Sequence, residues 1–400
     1  MKVLFWLKSF PEISETFIRD QICNLIECNI DTLIFTREKK KNLKALEGFE
    51  KFELLEKAFT FADLVPENRL KRIFKALKIL IRNIGSRNFE YLLKSLNYFK
   101  YGKKSKRLEY LYFIDFLIRN KIEIIHVHFG DFARNAVFIK ELGYPVKLVV
   151  TFHGYDTRQL IAGNKEEFKE VFRNVDGVFS ISSFNNEVLK SSGLPSSKIY
   201  DLPNAVDDHF FSVNRVENTS NDYRILSVAR LVDDKAVHLG IKAIRKIVDQ
   251  NKELNIHYSI IGDGSNKENL SQLTTALELQ DHISFLGAKS SGEVKKSMDE
   301  ADTFLLTSVN EALPTVLLEA LSCGLPVVST KVGGIADIIK EDVNGYLCKP
   351  DVDSIALALQ KMIDNRTKFS TMSSNARNLI QERFSKSVIV NKLINFYKTI

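Results

Sequence analysis

Residues 308–334 read SVNEALPTVLLEALSCGLPVVSTKVGG, and the fold is decided by how this stretch is read. An apolar run, Thr303 to Leu306, precedes it, so Ser308 to Leu313 should form the loop at a strand's carboxyl end. Pro314 suits the first turn of a helix, where its missing N–H would have had no partner anyway. Thr315 to Ser322 is then a short helix, stopped by Gly324 and Pro326. Val327 and Val328 open another buried strand, which runs out at Gly333–Gly334, expected to be a flexible pair. Strand, loop, helix and strand in this order is the unit of an open parallel sheet.

Working outward, the same alternation fills both halves of the 400-residue chain, long enough for two domains with their own cores. Val3 to Leu7 and Asp31 to Phe35 read as the first strands, and Ile122 to His128, Lys147 to Phe152 and Gly177 to Ile181 follow. Tyr223 to Val228, Ile256 to Ile261 and Ile283 to Gly287 continue the series in the second half. Asp351-Val-Asp353 opens a helix after Pro350 and reads as a cap, although it could be mistaken for a D-x-D metal motif. The fold class expected is α/β, with two parallel-sheet domains.

Composition narrows the function classes. The start, MKVLFWLKSF, has too short an apolar run for a secretory signal, and no run approaches the ~20 apolar residues of a membrane span. Four scattered cysteines make neither a disulfide framework nor a zinc site; Cys23 and Cys28 read as reduced core thiols, which places the chain in a reducing cytoplasm. Net charge is +7, but residues 68–107 hold thirteen Lys/Arg and one acid, which is +12 and leaves −5 for the remainder. Leu70, Ile73, Phe74, Leu77, Leu80 and Ile81 recur there at helical spacing, so the segment is expected to be an amphipathic basic helix. Such a helix either lies on an anionic membrane, making the protein peripheral at the membrane's inner face, or packs its apolar stripe on the domain. No recognition motif accompanies the charge, so nucleic acid is not an expected partner.

Several residues stand where strands end. Glu311 lies in a loop and Glu319 inside the following helix; a lone E-x7-E is ordinarily a loop acid and a solvated helix acid. Beside them, the free amides near Thr315 and Val316 and the positive end of the helix dipole form a seat for a phosphate. An anionic ligand fits next to carboxylates only if they touch its hydroxyls, and a nucleotide sugar carries both kinds of group. Arg230 offers a planar fork for phosphate oxygens and Lys235 a compact charge, both after the strand ending at Val228. Gly262 belongs to a G-x-G turn, by itself a weak sign of nucleotide binding. His153 follows a strand end and precedes a glycine, so it either offers a ring nitrogen to a ligand or is a satisfied core histidine. His126 and His128 share one strand face, but no third ligand of the usual type is near, so a metal is rejected. Ser14 caps a helix that starts near Phe17, in the crevice after the first strand.

Taken together, these strings resemble the family 4 retaining glycosyltransferases of the two-domain GT-B fold. The resemblance rests on Glu311-Ala-Leu-Pro-Thr-Val-Leu-Leu-Glu319-Ala, Gly324-Leu-Pro-Val-Val-Ser-Thr, Gly333-Gly334, the R-x4-K of Arg230 and Lys235, and the H-G-x-D beginning at His153. Phe10-Pro-Glu-Ile-Ser-Glu-Thr-Phe-Ile18 is similar to a subgroup that builds bacterial exopolysaccharides of the colanic-acid type. Departures are Ala236 where the family has glycine after the lysine, Ala205 in its PNGVD turn, and no glycine-rich loop after the first strand. The resemblance implies an acceptor domain at 1–206, a linker at 207–222, a donor domain at 223–384 and a helix at 385–400 that crosses back, with the domains facing a cleft.

It implies further that Arg230, Lys235 and the amides near Thr315 and Val316, with Leu313 and Pro314 beside them, meet a donor diphosphate. Glu311 would hold sugar hydroxyls, Glu319 the ribose, the segment reaching Lys289 the base, and His153 the donor sugar and its phosphate. No metal and no cofactor enter this scheme, and the acceptor is a glycan or lipid-linked oligosaccharide. A binding protein without turnover and a nucleotide-sugar epimerase remain alternatives on the same scaffold.

Overall fold

The computed structural model describes residues 1–12, 15–40, 51–212 and 221–400. They form two compact units: 1–181 with 186–202 and 392–400, and 182–185 with 203–391. Ser14 and half of the expected linker, residues 213–220, lie outside the described residues.

The first unit contains strands β1 (Lys2–Phe10), β2 (Asp31–Lys39), β3 (Ala58–Phe59), β4 (Ile124–His128), β5 (Lys147–Phe152), β6 (Gly177–Ser180) and β7 (Ile199–Asp201). They pair in parallel in the order β3-β2-β1-β4-β5-β6-β7. The second unit contains β8 (Asp222–Val228), β9 (Asn255–Ile261), β10 (Ile283–Gly287), β11 (Thr303–Leu306), β12 (Val327–Thr330) and β13 (Gly345–Cys348). Their order is β10-β9-β8-β11-β12-β13, again all parallel. Two Rossmann-like parallel sheets are therefore the architecture, as the alternation of elements foretold.

Helices cover both faces of such sheets, and the strand sequences show it: Val3, Leu4, Phe5, Trp6 and Leu7 run without a polar break and are all nearly fully buried. The first two strands are longer than their apolar runs. β1 extends through Lys8 and Ser9 to Phe10 because β2 continues beside it, pairing Ser9 with Glu38 and Phe10 with Lys39. Backbone pairing, which needs no apolar side chain, carries the ladder past the pattern that revealed it.

Three expectations are corrected. The basic stretch is not one helix but three, Arg69–Asn83, Arg87–Lys94 and Tyr98–Lys106. Asn68 and Asn97 each cap a start by accepting an amide, from Lys71 and Lys100, and Gly85 takes the positive φ that breaks the first helix from the second. Cys28 is exposed at the end of helix Thr16–Glu27, whereas Cys23, Cys323 and Cys348 are buried. Gly333–Gly334 begins a 3-10 turn, Gly333–Asp337, and is held tightly rather than left flexible.

Candidate functional site

In an open α/β sheet the ligand crevice forms where strand order reverses, because the loops leaving the two flanking strands diverge there. In the second unit that point lies between β8 and β11. The loop after β8 carries Arg230 and Lys235, and the loop after β11 carries Glu311. The two loops are sewn together: Val309 N donates to Asp234 O (2.9 Å), and Thr307 Oγ1 lies 3.1 Å from the carbonyls of both Lys235 and Ala236. As a result Lys235 Nζ donates to Glu311 Oε1, which also accepts from Ser308 Oγ at 2.7 Å. Side-chain exposure is 19% for Lys235 and 9% for Glu311, so the pair is partly desolvated and each charge compensates the other.

Glycines set the shape of this crevice. A Cβ on Gly333, which has φ +53°, would lie 1.6 Å from Glu311 O, and Gly334 N donates to Ala312 O at 2.9 Å. The pair after β12 therefore clasps the backbone of the Glu311 loop. Gly262 does the same for the other loop: its φ is +137°, and a Cβ would lie 1.8 Å from Ala229 O, next to Arg230. What identified it as part of a G-x-G was a requirement for close backbone approach.

Helix Thr315–Ser322 starts directly after Pro314, with no side chain capping it. Leu317 N turns back to Pro314 O (3.2 Å), and the amides of Thr315 and Val316 belong to the first turn, which has no intrahelical acceptors. Leu313, just before that turn, is buried, and Glu319 is half-buried one turn further on. Arg230 is exposed, and among the described residues its guanidinium makes no hydrogen bond or ion pair. Lys289 sits apart, on the loop after β10, two strands from β8, and pairs with Glu293 at 2.9 Å.

The first unit has its own reversal point, between β1 and β4, and its chemistry differs. His128 ends β4 and His153 follows β5; His128 Nδ1 and His153 Nε2 share a hydrogen bond of 3.0 Å, with the rings stacked at 5.3 Å. Phe17 and Phe129 close on His153, each with ring centroids 4.8 Å away. His126, stacked on His128, bonds Thr151 Oγ1 (2.7 Å) and the hydroxyl of Tyr397. Burial pushes His126 and His153 down to about 3, and His128 well below its ordinary value, so all three are neutral near pH 7.

The sequence reading missed two members of this cluster. Asp156, wholly buried, accepts from His153 N (2.9 Å) and Gly130 N (2.8 Å), and so locks the loops after β4 and β5 together. Burial raises its carboxyl to about 7 against the pull of those amides. His128 was weighed only as a metal ligand. The available signal for Asp156 was its place three residues after His153, where a side chain reaches back to the amide that precedes a helix.

Residues 82–210 match the family described as Glycosyltransferase Family 4, and residues 210–379 match Glycosyl transferases group 1. The protein named as colanic acid biosynthesis glycosyltransferase WcaL of Salmonella typhimurium is 31% identical, over all of both chains. The amylovoran biosynthesis glycosyltransferase AmsK of Erwinia amylovora is 27% identical over 98% of each. Among solved structures, the Anabaena protein HepE, crystallised with UDP, superposes with a TM-score of 0.72 over the full length of both chains at 18% identity.

The twin parallel sheets and their superposition define the GT-B fold. This chain belongs to the family 4 glycosyltransferases, in the group that includes the colanic acid and amylovoran biosynthesis enzymes.

Proposed function

We propose that the protein is a retaining, metal-independent glycosyltransferase of exopolysaccharide assembly. It would move a sugar from a nucleoside diphosphate donor to a glycan or lipid-linked oligosaccharide at the inner face of an anionic membrane. The observation that carries the proposal is the Lys235–Glu311 pair at the strand-order reversal of the second unit, beside an uncapped helix start. Negative charge grows on the departing diphosphate as the glycosidic bond breaks, and preorganised cations and amides stabilise it. Arg230, Lys235 and the amides of Thr315 and Val316 take that task, which a divalent ion performs in other transferases. Glu311 accepts from the sugar hydroxyls and Glu319 from the ribose. Leu313 and Pro314 flank the phosphates, Gly262 keeps the Arg230 loop in place, and Lys289 is assigned to the base. His153, neutral and buried, serves the donor sugar as a hydrogen-bonding group, not as an acid. Ser14 is assigned to the acceptor side. The UDP bound to HepE supports a nucleotide donor.

The experiment is a thermal-shift screen of nucleotide sugars, followed by transfer assays with the selected donor. Specific binding raises Tm by mass action. Arg230→Ala, Lys235→Ala and Glu311→Ala are each expected to lower transfer by about a hundredfold or more with the fold retained. Near-normal turnover in all three would sink the proposal. Interconversion of the sugar without an acceptor would identify an epimerase instead.

A further inference from the structure

Helix Arg69–Asn83 has a broad apolar sector, and only one edge of it is buried. With about 100° per residue, Ala76, Ile79 and Asn83 fall on one side, and all three are buried against the first unit. Leu70, Phe74, Leu77 and Ile81, with Ile84 at the helix end, are centred roughly 150° away around the axis. These five are 67%, 70%, 48%, 66% and 65% exposed. Phe99, on the third basic helix, is fully exposed.

The helix cannot roll to hide that face. Arg82 pairs with the buried Asp115, which is held from its other oxygen by Arg119 at 2.8 Å, and Tyr112 Oη donates to Arg72 O at 2.7 Å. Charge lines one flank of the exposed stripe: Lys71 and Lys78 are exposed and, among the described residues, make no ion pair or side-chain hydrogen bond. Arg69, Arg87, Lys103 and Lys106 in the same three helices are likewise exposed and unpaired. An apolar stripe of this size, bordered by uncompensated cations, matches one chemistry in both respects: an anionic lipid surface, with acyl chains for the stripe and headgroups for the ammonium groups.

We propose that the first unit docks on an anionic bilayer through this outward face, with Leu70, Phe74, Leu77, Ile81 and Ile84 entering the headgroup boundary. The inference deepens the membrane-side placement of the acceptor and rests on that part of the functional reading, not on the transfer chemistry. It separates insertion of a defined apolar face from attraction by charge alone.

The test is sedimentation of the full chain with vesicles of phosphatidylcholine alone or mixed with phosphatidylglycerol, at low and high salt, without donor or acceptor. Binding is expected to the mixed vesicles and not to the neutral ones. Phe74→Ser with Ile81→Ser should weaken it by about tenfold or more, and Lys71→Glu with Lys78→Glu by roughly fivefold per cation. All four positions are exposed, so Tm should not change; Leu70→Ser with Ile84→Ser is a second variant on the same face. If both serine pairs bind as the wild type does, insertion is refuted while a charge-driven membrane reading survives. No binding of the wild type at low salt refutes both, and leaves the transferase reading to its own donor-binding assay. A lipid-free dimer that the serine variants turn into monomer would show that a second copy covers the face, and would also overturn the proposal.

Discussion

The two sheets reverse strand order in the same way, yet what stands at the two reversal points is opposite in kind. Between β8 and β11 the loops present charge: a partly buried lysine and glutamate, an exposed arginine and an uncapped helix start. Between β1 and β4 the loops present neutral, fully enclosed groups: histidines bonded to one another and packed in phenylalanine rings. A crevice is what the topology guarantees; whether it can hold an anion depends on which side chains the loops carry and how much water they keep. The contrast also shows why the sequence reads one point as a candidate anion seat and the other only as scattered histidines.

The comparison can be broken most severely at Gly333. Its positive φ and the 1.6 Å approach to Glu311 O leave no room for a methyl group. Gly333→Ala is expected to destabilise the second unit by roughly 2–4 kcal/mol and to abolish the donor-dependent thermal shift. A melting profile indistinguishable from that of the wild type would show that the clasp does not shape the charged crevice.

Titration separates the two regions at the next level of effect. The buried histidines stay neutral in the folded first unit, while the unfolded chain protonates them near their ordinary value of 6.5. Below about pH 6.5 the unfolded state binds protons that the folded state does not, so stability falls as pH falls, by about 1.4 kcal/mol per unit for each such group. Asp156 and Glu15, raised by burial to about 7 and about 6, work the other way. Their stabilising effect is complete below about pH 4 and is lost as pH climbs toward those values. His128→Asn should therefore flatten the acid side of the first unit's stability curve, measured by denaturant unfolding at several pH values. An unchanged slope would mean that His128 is not held neutral by its surroundings.

The smallest effect concerns Ala236, which takes left-handed angles, φ 44° and ψ 38°, immediately after Lys235. Glycine would occupy that conformation without the ~1–2 kcal/mol strain of an L side chain, at an entropic cost of roughly 0.5–1 kcal/mol. Ala236→Gly should therefore stabilise by less than about 1 kcal/mol and leave transfer unchanged. A clear loss of stability would show that the alanine methyl group, buried at this turn, packs better than the backbone is strained.

Local pattern alone settled a great deal. Uninterrupted apolar runs bounded by turn residues defined the strands, and their alternation with helices forced parallel sheets, because parallel neighbours need a crossover between them. The uncapped helix start at Thr315 was equally local, since a helix start exposes its amides whatever surrounds it. Tertiary structure decided two other things. Lys235 and Glu311 lie 76 residues apart and meet only because β8 and β11 are neighbours, which depends on strand order. And the stripe Leu70–Phe74–Leu77–Ile81 faces outward because Ala76 and Ile79 won the core contact; periodicity marks an apolar face, but burial depends on what packs against it.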